Sequence, residues 1–178
     1  MRLFIALDLP KPLLPLLAEA GGVLHAHAHT ISLTKPHHLH LTLRFLGEVA
    51  EDRLPALRQL IRKVPLGGRV ALSHYGSFGT PDGLTLWAGL SCDEAVLALA
   101  RAVEEGVRVL GFPAETRAFV PHVTLARRAK LTTPLIDLKA LLPVYTSFLP
   151  VPALALYQSV LGREGPIYTA LERQNHAH

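Results

Sequence analysis

The sequence predicts an α+β fold in two lobes, with duplicated β-α-β units and antiparallel sheets around a central cleft. Three observations lead there. An apolar strand, LFIAL at 3–7, is followed by a helical stretch and then by His40, 37 residues after Leu3. The same order recurs with LWAGL at 86–90 and His122, 36 residues after Leu86, which reads as an internal repeat with halves of about 1–83 and 84–178. Strands alternating with helices would by themselves suggest a parallel sheet. The short turn at 80–83 and a Gly-Arg-Glu-Gly-Pro connection at 162–166 require antiparallel neighbours instead.

In chain order, RLFIALDL (2–9) is a short apolar run closed by turn residues, the mark of a buried strand. A helix follows from PKPLLPLL, whose prolines fall in the first turn where a missing N–H costs little, and Gly21-Gly22 would weaken or end it. LHLTLRFL alternates as a strand. Helices are expected at about 52–64 and 93–110, the second capped by Ser91 with Glu94 three residues on. RVALSHYGSFG and LTLWAGLS are strands flanking the turn TPDG. HVTLAR is a strand, TTP at 132–134 opens a helix, and ALALYQSVL pairs with PIYTALE as a closing hairpin.

The 178 residues suffice for one domain with a substantial core, and 49% apolar content argues against disorder. The one cysteine, Cys92, excludes an intrachain disulfide and a cysteine zinc site, as suits a reducing compartment. No segment reads as a signal peptide, because Asp8, Lys11 and three prolines interrupt the apolar N-terminus, and no run of 18 apolar residues offers a membrane span. A cytoplasmic monomer with no obligate protein partner is the expectation. A net charge of +4, with thirteen arginines, is compatible with a polyanionic partner or with a mildly basic surface.

His40 and Thr42 lie two apart in one strand and so share a face, backed by Leu39, Leu41 and Leu43. His122 and Thr124 repeat the pattern, backed by Val123 and Leu125. A two-fold relation of the halves would aim both pairs into one groove. Two imidazoles supply a base and an acid near neutral pH, since the unperturbed pKa is about 6.5. Threonine hydroxyls and arginines suit nonbridging phosphoryl oxygens. Acid–base opening of a phosphodiester, without metal or cofactor, fits these parts best. Arg44 has the strand parity of His40, whereas Arg127 has the wrong parity and needs a bulge or a strand end to turn inward.

RLFIALDLP, LHLTLRFLGEV, PHVTLAR and LYQSVLGREGPIYTAL together resemble the 2H phosphoesterase superfamily, and within it the bacterial and archaeal RNA 2′,3′-cyclic phosphodiesterases, also called 2′-5′ RNA ligases. The resemblance spans nearly the whole chain. It implies hydrolysis of a terminal 2′,3′-cyclic phosphate on RNA to a 2′-phosphate, with joining of such an end to a 5′-hydroxyl through a 2′-5′ link as a side activity. It further implies His40 as proton donor, His122 as proton acceptor, and Thr42, Thr124 and Arg127 as phosphate ligands. Residue chemistry alone leaves the order of the two histidines open. Small cyclic nucleotides or 2′-5′ oligoadenylates are alternative substrates, and a nucleotide-binding module without turnover is the alternative of a different class.

One stretch departs from the family's pattern: LHAHAHTISLTKPHHLH is rich in histidine. His25, His27 and His29 would share a face on a strand, where a surface metal site is conceivable beside a solvated connector. His38 shares the parity of His40 and could touch substrate. Phe4, Tyr75, Trp87, Phe119 and Tyr157 are candidate base-stacking platforms, Phe119 foremost because it lies three residues before His122. His176 and His178 are expected in a frayed tail.

Overall fold

A computed structural model describes residues 1–176. Nine strands form two antiparallel sheets, with three full helices. The first sheet contains β1 (Arg2–Leu7), β3 (Leu41–Glu48), β8 (Ala153–Gly162) and β9 (Gly165–Asn175) in the order β3-β1-β8-β9. The second contains β2 (Ala28–Leu33), β4 (Arg69–Thr80), β5 (Gly83–Cys92), β6 (His122–Leu131) and β7 (Tyr145–Pro150) in the order β2-β6-β5-β4-β7. The strand that opens each repeat pairs with the His-x-Thr strand of its own unit: β1 with β3, and β5 with β6. The sheets exchange material all the same. β2 and β4 from the first half lie in the second sheet, and β8 and β9 complete the first.

Each helix forms for reasons visible in its residues. In α1 (Leu13–Ala26), Leu13, Leu17, Ala20, Gly21 and Leu24 recur at helical spacing and are buried. That buried face, set against β2 and β6, carries the helix through Gly21-Gly22, where the sequence suggested an end. Packing offsets the roughly 1 kcal/mol that each helical glycine costs relative to alanine. Helix α2 (Leu54–Lys63) buries Leu57 and Ile61 and lies against β8 and β9. In α3 (Glu94–Val109) Val96, Leu99, Val103 and Val107 form the buried stripe. Its cap is Asp93, whose carboxylate accepts from the Val96 N–H at 3.0 Å, and not Ser91 as the spacing to Glu94 suggested. Asp93 stands directly before the helix, two residues nearer than Ser91, and so reaches the N–H of its third residue.

The helix expected after TTP is a single turn, α4 (Leu135–Leu138), running into a 3₁₀ turn at Lys139–Leu141. Pro143 follows, and β7 begins at Tyr145. The two strands that the sequence did not reveal, β2 and β7, are the edges of the second sheet and are mostly exposed. Gly83, at φ +130°, ends the two-residue turn between β4 and β5, a conformation that L side chains rarely adopt. No helix among the described residues is long and apolar enough to cross a membrane.

Candidate active site

Between the sheets lies a cleft of about 2130 Å³, lined by His40, Thr42, His122, Thr124 and Arg127 among others. His40 stands immediately before β3, at the edge of the first sheet, and His122 opens β6 in the interior of the second. The two imidazoles are held the same way. His40 Nδ1 donates to the His38 carbonyl and His122 Nδ1 donates to the Val120 carbonyl, each at 2.6 Å. A carbonyl only accepts, so Nδ1 carries the proton in the neutral ring and Nε2 is left for proton exchange. Thr42 Oγ1 donates to His40 Nε2 at 2.9 Å.

Beneath each ring lies an aromatic from the first strand of its unit. Phe4 is 5.0 Å from His40 between centroids, and Trp87, its counterpart 83 residues on, is 5.8 Å from His122. Trp87 rests on Gly76, where a Cβ would meet the indole at 2.3 Å. Phe78 stands edge-on to His122 at 5.4 Å. On the other side Tyr157 stacks on Phe4 at 5.3 Å, and Tyr168 lies edge-on to His40 at 5.6 Å. Tyr157 donates to Asp8 at 2.6 Å, and Arg173 pairs with the same carboxylate.

The two arginines are decided by bulges. On β6, Thr124 pairs with Trp87 and Ala126 with Leu86, so Leu125 is an extra residue and the side chains after it change face until a second shift, before Ala129, restores the pattern. Arg127 thereby turns into the cleft, and Arg128 after it adopts φ 52°. On β3, Thr42 pairs with Ala6 and Arg44 with Ile5, which makes Leu43 the extra residue. The parity that joined Arg44 to His40 is reversed. Its guanidinium, at the cleft wall, is engaged by Glu104 at 3.0 Å, Glu115 at 3.4 Å and the Pro113 carbonyl. The residue that mirrors Arg127, five beyond the histidine, is Phe45, which is 60% exposed.

Burial holds the His40 pKa below the usual histidine value. The His38 carbonyl acts against burial, and the Arg127 charge acts with it, so a cation from β6 is felt by an imidazole at the head of β3. His38 is lowered too, by burial and then by His37 and Lys35. Its ring leans on Tyr168 at 4.4 Å and borders the cleft. Phe119 lines the cleft at 37% exposure. Other expected platforms do different work. Tyr75 is buried and donates to the Pro143 carbonyl, while Phe4 is buried under His40. Sequence reasoning missed Phe78 and Tyr168, which meet the histidines only through the folded sheets, and Phe45, which lines the cleft beside Phe4.

The remaining histidines scatter. His25 ends α1, His27 follows it with Nδ1 3.3 Å from Thr133 Oγ1, and His29 is on β2. Among the described residues no three His, Cys, Asp or Glu side chains gather as metal ligands. His176 is tied down rather than frayed, its N–H donating to the Pro152 carbonyl at 2.8 Å, and His178 lies outside the described residues.

The sequence profile of the 2′-5′ RNA ligase superfamily matches residues 18–161. The chain belongs to that superfamily. An RNA 2′,3′-cyclic phosphodiesterase of Thermus thermophilus is 35% identical over 97% of this chain and 89% of its own length. One from Archaeoglobus fulgidus is 30% identical over 96% and 98%. The fold agrees as well. TT0787 of Thermus thermophilus superposes with a TM-score of 0.77 at 33% identity, covering 98% of this chain and 97% of that one. E. coli LigT complexed with 3′-AMP gives 0.79 at 26% identity, covering 99% and 98%. The RNA 2′,3′-cyclic phosphodiesterases are thus this chain's enzyme family, a family of hydrolases.

Proposed function

We propose that the protein hydrolyses 2′,3′-cyclic phosphate ends of RNA to 2′-phosphomonoesters. The observation that carries this reading is the pair of imidazoles, one from each sheet, each pinned through Nδ1 to the carbonyl two residues earlier and lining one cleft. His122 Nε2 takes a proton from water as its oxygen attacks phosphorus. The bond from phosphorus to the 3′ oxygen breaks, and His40 Nε2 gives that oxygen a proton. Arg127, Thr42 and Thr124 hold the nonbridging oxygens, whose charge must be balanced through an in-line displacement. Each proton transfer contributes roughly 10²–10⁴-fold.

His40 favours its neutral form in the free protein. The bound phosphate anion reverses that preference, because a nearby negative charge stabilises the imidazolium. Substrate binding therefore supplies the protonated donor. With a 5′-hydroxyl in place of water as the nucleophile, the same groups join a cyclic phosphate end to it as a 2′-5′ link, breaking the same bond to the 3′ oxygen. The named relatives, RNA 2′,3′-cyclic phosphodiesterases along nearly the whole chain, support RNA as substrate. Short RNA ending in 2′,3′-cyclic phosphate, incubated with chelator, should yield a 2′-phosphate end. A 3′-phosphate product would reverse the assigned bond cleavage, and binding of the RNA without turnover would leave a binding module.

A further inference from the structure

Beside the cleft, a pocket of about 450 Å³ opens between the turn at 35–38 and the β8–β9 hairpin. Lys35, His37, His38 and Arg163 line it with Tyr168, and Glu164 is the only carboxylate among its lining residues. Lys35, His38, Arg163 and Tyr168 line the main cleft also, so the two spaces are continuous. The connection to the reacting centre is short. His40 meets Tyr168 at 5.6 Å, Tyr168 meets His38 at 4.4 Å, and His38 meets His37 at 4.2 Å.

We propose that this pocket is a second phosphate subsite, which takes the phosphodiester one nucleotide inward from the cyclic end. The proposal rests on the RNA reading of the cleft and extends it. An RNA that ends in a cyclic phosphate continues only toward its 5′ side. The next anion is therefore the phosphodiester on the terminal nucleotide's own 5′ oxygen, and the basic lining of the pocket begins one aromatic ring from His40. A structural role accounts for little of this lining. Lys35 reaches Glu164 at 3.6 Å, but with Glu164 90% exposed such a pair contributes little and leaves Arg163 and His37 without a purpose. A phosphodiester accepts from Lys35 and Arg163 in place of water and draws His38 toward its charged form.

The subsite predicts that the protein discriminates by chain length, as hydrolysis at the first site alone would not. Two ligands test it by titration: a nucleoside 2′-monophosphate, and a dinucleotide ending in 2′-phosphate. The dinucleotide should bind about tenfold more tightly at low salt, with a slope of log affinity against log salt steeper by about 0.7 for the one added phosphate contact. In the double variant Lys35→Ala/Arg163→Ala that advantage should collapse to about twofold or less. Equal binding of the two ligands by the parent, or an advantage that survives in the double variant, would overturn the subsite. Turnover of the cyclic phosphate, followed in parallel, tests the underlying reading separately. Turnover with no dinucleotide advantage removes the subsite alone. A dinucleotide advantage lost in the double variant, without turnover, keeps the subsite and removes the hydrolase.

Discussion

Around His40 and around His122 the chain builds the same frame twice. Each imidazole is pinned through Nδ1 to a carbonyl two residues back, each rests over an aromatic of the adjacent strand, and each motif has a bulge at the leucine after its threonine. What stands on that frame differs. His40 is surrounded by Phe4, Tyr157 and Tyr168 and receives a hydrogen bond from Thr42, while His122 has Trp87 and Phe78 beside it. Five residues beyond the histidine, one side presents Phe45 and the other Arg127. The duplicated frame supplies two equivalent bases. The unequal surroundings set a buried imidazole that favours neutrality opposite one flanked by Trp87 and Phe78.

The comparison can be broken at several depths. The deepest break is His40→Ala or His122→Ala, each expected to lower kcat/KM by about 10²–10⁴-fold. The double variant should lose less than the product of the two, because both groups serve one displacement. Full additivity of the losses would place the histidines in separate steps. Next in size is Arg127→Ala, for which loss of one preorganised donor to phosphoryl oxygen predicts about 10²-fold in kcat. The mirror change, Phe45→Ala, should leave kcat within about tenfold. Equal losses from the two would show that the side carrying the cation does not matter.

Smaller effects concern the His40 proton. Thr42 donates to the neutral ring, so Thr42→Val should raise the His40 pKa, whereas Thr124→Val should leave it in place. Proton-detected titration of the imidazoles reads this directly. The smallest effect is on stability. The folded-state pKa values of His40 and His38 are lowered, so the unfolded chain takes up these protons first as pH falls below about 6.5. Their contribution to stability is complete above that pH and is lost as pH falls toward the folded-state values. His40→Gln should flatten part of that acid slope in thermal unfolding. An unchanged slope would mean that burial does not act on His40 as described.

How much of this was legible in the sequence depended on periodicity. Period-two alternation placed His40 with Thr42 and His122 with Thr124, and the repeat of strand, helix and motif placed both pairs on corresponding strands. Parity alone misplaced Arg44 and left Arg127 dependent on a bulge whose position the sequence does not mark, because an apolar Leu43 or Leu125 looks the same whether it is the extra residue or not. β2 and β7 escaped because edge strands, mostly exposed, carry a weak alternation of apolar and polar residues. Tyr168 reaches His40 across two intervening strands, a neighbour that only the sheet order reveals. The histidine-rich stretch was visible but not its division: His25 ends a helix, His29 lies on an edge strand, and His37 and His38 border the cleft.

The central claim is that imidazoles from two sheets serve one phosphate. Its most direct test follows the ring signals of His40 and His122 by NMR while the protein is titrated with a nucleoside 2′-monophosphate. Both rings should respond with a single midpoint at one ligand per chain, and the His40 pKa should rise on binding. A response confined to one histidine, or two responses with separate midpoints, would contradict it.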